Sequence, residues 1–131
     1  MTEYLFSYGT LQPGLAPADI EPIVRMFKPV GRAHIHGLLY DFGEYPGAVL
    51  GSNGKVWGQV FELPSNADVL GRLDDYEEFH PDNIDASQFV RKKCKAVLES
   101  GEAIEAWVYV YNRDVSSAAL IPNGEFVKSR D

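Results

Sequence analysis

Apolar positions along the chain fall into short runs and alternations, and Gly, Pro, Asn or Ser mark most of the breaks between them. Residues 4–8 (Tyr-Leu-Phe-Ser-Tyr) predict a first strand that stops abruptly at Gly9. Residues 9–17 read as a loop around Pro13-Gly14, and a short helix is expected from Asp19 or Ile20 to Phe27, with Pro22 tolerable only in its first turn. A long strand follows over residues 30–40, where Gly31 and Gly37 predict bends or bulges. After a loop at 41–47 come a short strand at 48–50, a hairpin-type turn at Ser52-Asn53-Gly54, and a strand at 56–63 with Trp57, Phe61 and Leu63 on one face. Ser65 is a suitable N-cap for a helix reaching about Tyr76, with Val69, Leu70, Leu73 and Tyr76 as its apolar stripe and Asp68 in its first turn.

Residues 80–88 are polar and loop-like, and strands at 89–98 and 102–111 are expected to form a hairpin around Ser100-Gly101. The tail from Asn112 is poorly patterned except for Ile121-Pro122-Asn123-Gly124-Glu125-Phe126, which reads as a docking turn. About six strands joined mostly by hairpins, with two helices, predict an α+β domain over residues 1–131 with a strongly curved sheet or small barrel.

Composition sharpens this only in places. At 131 residues the chain is long enough for one domain that buries roughly two thirds of its unfolded surface. Seven Tyr, seven Phe, two Trp, 12 Gly and 8 Pro suit a β-rich fold with many turns. A net charge of −7 argues against nucleic acid or an anionic membrane as partner, because both attract basic surfaces. The single cysteine, Cys94, has no internal disulfide partner and sits in an alternation with Val90, Ala96 and Leu98 that reads as core. No apolar run approaches the ~20 residues that span a bilayer, no signal peptide is visible, and a reducing cytoplasm is the expected compartment.

Two features carry candidate chemistry. A buried strand ending at Gly9 leaves the N–H groups of Gly9, Thr10 and Leu11 pointing into one small space, a nest suited to a carboxylate or an oxyanion. Tyr8 either lines that space with its ring or only ends a core strand. The second feature is the acidic segment from Asp74 to Glu78. On a helix Glu77 shares the side of Leu73 and Leu70, whereas Glu78 stacks over Asp74 and Asp75 on the polar side. An inward Glu77 would feel burial, neighbouring acids and the negative pole of the helix, all of which raise its pKa. The same residues are compatible with a frayed helix end whose Glu77 reaches water.

The motifs, taken in order, resemble the gamma-glutamylcyclotransferase-like family. Tyr8-Gly9-Thr10-Leu11 with Pro13-Gly14 is similar to its Tyr-Gly-Ser/Thr-Leu turn, and Gly37-Leu38-Leu39-Tyr40-Asp41 with Tyr45-Pro46 to its Gly-x-Leu-Tyr-Asp…Tyr-Pro stretch. Gly58-Gln59-Val60-Phe61-Glu62 and Leu73-Asp74-Asp75-Tyr76-Glu77 resemble the two later motifs, so the resemblance spans residues 4 to 126. The chain departs from the family pattern at Glu78, where Gly is common, at Phe89, where Tyr is common, and at Phe126, where Trp is common.

The resemblance implies a small mixed β-barrel and a cyclotransferase that needs neither metal nor cofactor. In such an enzyme the α-amino group of a γ-glutamyl amide attacks its own γ-carbonyl, giving 5-oxoproline and a free amine. Glu77 would be the general base and acid, and Tyr8, Gly9, Thr10 and Leu11 would bind the substrate. Arg91 would either hold a substrate carboxylate or pair with an acid such as Asp74, while Tyr109 and Tyr111 would pack in the barrel, one hydroxyl within reach of the site. The alternative is a non-catalytic module on the same fold that binds a small acidic metabolite or another protein. His34, His36 and His80 lack a diagnostic metal spacing, and no nucleophile elbow, Walker loop or dinucleotide fingerprint occurs. The residues leave monomer and homodimer equally open, as they do the identity of the leaving amine.

Overall fold

Both faces of the first strand are covered, which is why apolar residues stand side by side at Leu5 and Phe6 instead of alternating with polar ones. In the computed structural model, which describes residues 2–9, 16–43, 45–65 and 68–126 (at Ser52 the backbone alone), β1 is Tyr4–Ser7. It lies antiparallel to β3 (Pro46–Glu62) and parallel to β5 (Ala103–Tyr111). On one face Phe6 opposes Val60, and on the other Leu5 opposes Phe61, whose ring packs 5.7 Å from that of Phe27. Phe27 follows the short helix α1 (Glu21–Val24), which has Pro22 in its first turn and buries Ile23 and Val24. The expected helix to Phe27 is thus cut short. The chain leaves the helical path after Arg25 and enters β2 (Lys28–Asp41) almost at once.

The remaining strands close a ring. β4 (Phe89–Leu98) pairs with β5 along the expected hairpin and with β2 at Ala33 and His34. β2 pairs with β3, so the order β3-β1-β5-β4-β2 returns to β3 and makes a five-stranded closed barrel of mixed sense. A short β6 (Ala119–Leu120) adds to the end of β2 opposite Tyr40 and Asp41. The α+β curved barrel expected from the sequence is therefore the observed architecture. No helix among the described residues is long and apolar enough to cross a membrane.

Six strands were expected and six are found among the described residues, but they are not the same six. The segments at 48–50 and 56–63 are one strand, because β2 continues as their common partner across the turn between them. His36 pairs with Lys55 and its neighbour Gly37 with Leu50, so residues 51–54 loop out within β3 and Gly54 takes a φ of 79°. The register also slips between Pro29 and Gly31, and both slips fall at the glycines that predicted them. Trp57 does not join Phe61 and Leu63 in the core. It is half-buried, with Arg32 at 4.9 Å, Lys55 at 5.7 Å and the His34 ring at 4.9 Å, while Val56 and Val60 fill the opposite face.

The tail docks as its pattern suggested. Ile121 N–H donates to the Leu39 carbonyl, and Trp57 N–H donates to the Gly124 carbonyl at 2.8 Å. Gly124 has a φ of 69°, and a Cβ there would run into the Lys55 carbonyl oxygen. Gly124→Ala should therefore destabilise the fold by about 2 kcal/mol, read as a lowered urea midpoint. An unchanged midpoint would show that this turn does not anchor the barrel.

Candidate active site

The second helix, α2 (Asp68–Tyr76), ends in a specific cap that fixes the acidic segment. Phe79 N–H donates to the Asp74 carbonyl and Glu78 N–H to the Asp75 carbonyl, the paired bonds of a Schellman motif. Glu77 N–H still bonds the Leu73 carbonyl, so Glu77 is the last residue on the helical path. Glu78 occupies the left-handed position with a φ of 56°, a place usually taken by Gly. Its carbonyl accepts from Gln88 N–H (3.1 Å), tying the helix end to the start of β4. The residues between are held by Ser87, which is fully buried and whose Oγ accepts from His80 N–H at 2.7 Å.

Asp74 does not sit on the polar side of the helix, where the periodicity placed it. It is buried, because β4 and β5 present partners for its carboxylate. Arg91 donates from Nε (2.8 Å) and a terminal nitrogen (3.2 Å), and Tyr109 Oη donates at 2.7 Å. Arg91 is thus committed to an ion pair, with its guanidinium 4.4 Å from the centre of the Trp107 ring. Tyr111 packs against Phe42 and Phe89.

Beside this cluster lies a cavity of about 390 Å³. Its walls include Ser7, Tyr8 and Gly9 from the end of β1, Tyr109 from β5, and Glu77 and Glu78 from the helix end. The recorded β1–β5 register is the single pair Leu5 and Trp107, and the cavity lies past that pair, between the end of one strand and the continuation of the other. Tyr8 bridges the gap: its hydroxyl donates to the Tyr109 carbonyl and accepts from Ala48 N–H at 3.1 Å. Burial pushes the Tyr8 phenol far up; the Ala48 bond offsets part of this and the Glu77 charge adds a smaller upward push, so Tyr8 is a neutral strut that also walls the cavity. Burial likewise leads the upward shift of Tyr109, with its bond to Asp74 next. A Cβ at Gly9 would meet Pro46 Cγ at 3.1 Å, so a glycine allows the two cavity walls to approach this closely.

Glu77 faces into the cavity, not away to solvent. Of the three influences expected to raise its pKa, burial is the one that acts, and it pushes the carboxyl up to about 7. Asp74 is already neutralised by Arg91, and Glu78 points to water, so the neighbouring acids leave Glu77 largely to its own desolvation. The structure therefore brings Glu77, Tyr8 and Gly9 together, while Thr10 and Leu11 lie outside the described residues.

Sequence reasoning missed Gln88 and Tyr45 as cavity residues. Gln88 Nε2 donates to Tyr45 Oη at 2.7 Å across the wall. The Tyr45-Pro46 pair was visible as a motif, but nothing in the polar run before β4 singled out Gln88. Cys94 is half-buried against the core, and burial pushes its thiol up to about 11. His34 and His36 stack edge to face with 5.5 Å between rings, and burial, then Lys55 and His36, hold His34 below the usual imidazole value. Among the described residues no three His, Cys, Asp or Glu side chains gather to hold a metal ion.

The closed barrel thus carries, in a side cavity, a half-buried carboxyl of raised pKa. The family described as "Gamma-glutamyl cyclotransferase, AIG2-like" matches residues 5–128, and the chain belongs to it, a family of cyclotransferase enzymes. It is 36% identical over 111 residues to the gamma-L-glutamyl-butirosin B gamma-glutamyl cyclotransferase of Niallia circulans, a match covering 84% of this chain and 67% of that protein. It is 35% identical over 89 residues to YtfP of Escherichia coli, a gamma-glutamylcyclotransferase family protein, covering 68% and 66% of the two chains. The solution structure of YtfP superposes with a TM-score of 0.65 at 28% identity, covering 95% of this chain and 96% of that one. An AIG2-like protein from Mus musculus shares the fold, with a TM-score of 0.70 at 19% identity and coverage of 96% and 88%.

Two stability outcomes follow from the helix end. Glu78→Gly should raise stability by about 0.5–1 kcal/mol at unchanged denaturant slope, because it relieves a left-handed backbone; a lowered midpoint would contradict the cap. The Glu77 carboxyl titrates higher folded than unfolded, so between pH 4.5 and about 7 the folded state binds the extra proton. Stability should fall across that window as pH rises, and the fall should be smaller in Glu77→Gln, as measured by urea melts at pH 4.5, 6 and 8. Parallel pH curves for the two proteins would remove the shift from Glu77.

Proposed function

We propose that this chain releases 5-oxoproline and a free amine from a γ-glutamyl amide, with Glu77 moving the proton. The observation that carries the reading is Glu77 itself: a carboxyl poised near neutral pH, in one cavity with Gly9 and Tyr8. Such a group accepts and returns a proton with little penalty in either direction.

The ionised Glu77 takes a proton from the substrate's α-ammonium. The freed nitrogen lone pair attacks the γ-carbonyl carbon and closes a five-membered ring, placing negative charge on the carbonyl oxygen. That oxyanion, or the α-carboxylate, is held by backbone N–H groups around Gly9, Thr10 and Leu11. The tetrahedral carbon then expels the amine, which takes the proton from Glu77; the ring nitrogen's second proton follows through the re-ionised carboxylate, so the ring keeps one N–H and the amine leaves as an ammonium ion. No water enters and the residue ends as it began.

The magnitudes suit so sparse a site. Holding the two reacting atoms of one molecule in contact supplies on the order of 7–11 kcal/mol. A placed general base adds about 10²–10⁴-fold and one oxyanion donor about 10²–10³-fold. An open cavity with Glu77 in its wall supports catalysis over a binding-only module, for which a filled cavity or a solvent-facing Glu77 would speak. The compartment that goes with this reading is the cytoplasm, as expected from the sequence.

The test is a screen of γ-glutamyl amides scored by 5-oxoproline formation. Glu77→Gln should lower kcat at least about 10²-fold while KM stays within a few-fold. For the unaltered chain, kcat/KM should rise with pH and level off above about 7, as the base ionises. Retention of most activity by Glu77→Gln would sink the assignment.

A further inference from the structure

Glu78 is on the wall of the cavity, and its charged side chain has no ion pair or hydrogen bond of its own among the described residues. It is exposed where Glu77 is half-buried, so it stands at the rim while Glu77 stands further in. The described lining holds these two carboxylates and no Lys, Arg or His. Arg91, on the adjoining strand, is spent on Asp74. The other groups that line the cavity toward β4 are the Gln88 amide, the Tyr45 hydroxyl that it bonds, and the buried Phe89 ring, all neutral.

The direction of entry follows from the proposed chemistry. The α-amino nitrogen must reach Glu77, so the glutamyl group goes in first and the amine it is joined to trails toward the rim. We infer that Glu78 selects the leaving amine, favouring one with a second, cationic amino group over one ending in a carboxylate. The substrate class is then the γ-glutamyl derivative of a diamine, polyamine or amino sugar. An amino acid or peptide leaving group would bring its carboxylate against Glu78 with no cation on the described wall to receive it. The inference rests on the cyclotransferase reading for the orientation of the substrate.

The test uses three γ-glutamyl amides of nearly equal length, made from 1,4-diaminobutane, pentylamine and 4-aminobutyrate. Their outer ends are an ammonium, a methyl and a carboxylate. An exposed carboxylate–ammonium contact supports a preference of roughly fivefold in kcat/KM for the diamine compound over the pentylamine compound, carried by KM and shrinking with added salt. The 4-aminobutyrate compound should be the poorest of the three. Glu78→Gln should bring the diamine-to-pentylamine ratio close to one, and Glu78→Lys should turn the preference toward the carboxylate. Direct binding to Glu77→Gln, with and without Glu78→Gln, measured by calorimetry, reads the same preference without turnover.

The two readings fail separately. If no compound yields 5-oxoproline yet Glu77→Gln binds the diamine compound best in a Glu78-dependent way, the reaction is wrong and the selectivity stands. If 5-oxoproline forms but Glu78→Gln leaves the ratio unchanged, or the carboxylate compound is preferred by the unaltered chain, Glu78 has no selecting role.

Discussion

The site depends on one buried carboxylate that does no chemistry. Asp74 receives two N–H groups from Arg91 and the Tyr109 hydroxyl, and thereby pins the last turn of α2 onto β4 and β5. A buried ion pair of this kind is weak evidence for stability, since desolvation offsets much of its attraction. What it supplies here is position. The donors come from paired residues in the β4–β5 register, Arg91 opposite Tyr109, so the hairpin offers one fixed socket. The Asp74 carbonyl meanwhile accepts the Phe79 N–H of the helix cap. Side chain and backbone of a single residue thus set both where the helix lies and where it stops, and Glu77 is placed by the result.

Three residues apart, Asp74 and Glu77 are the same chemistry in different surroundings. Asp74 has a cation and a hydroxyl turned toward its carboxylate. Glu77 has desolvation without an opposing cation, and its carboxyl moves up to about 7. Had Arg91 reached the cavity, it would have held Glu77 ionised and opposed the upward shift that burial produces. The ion pair therefore keeps the cation away from Glu77, the acid to which the proposed reaction assigns the change of charge.

The sequence carried this arrangement unevenly, for physical reasons. Strand ends, the β4–β5 hairpin and the two register slips were legible because Gly31 and Gly37 sit at the irregular points of the ladder and Gly101 takes a left-handed backbone that other residues adopt with difficulty. The inward turn of Glu77 followed from its spacing to Leu73. What could not be read was long-range partnership: β2 runs past both halves of β3 and makes them one strand, and Trp57 lies outside because cations cover it. Helical periodicity put Asp74 on the wrong side for the same reason, since it counts polarity and knows nothing of a guanidinium brought from β4. Gln88 entered the wall only because Ser87 and the helix cap fold the preceding loop back upon itself.

Glu78 shows the remaining tension between fold and function. The cap wants glycine at this position, since a side chain in the left-handed region costs on the order of 1–2 kcal/mol. The backbone tolerates the side chain because the position is over-determined: the cap bonds on one side and the Gln88 N–H on the other leave it no alternative path. A glycine would relax that strain but would leave the cavity rim without a charge. Local stability and the substrate selection proposed for the rim charge thus make opposite demands on one residue.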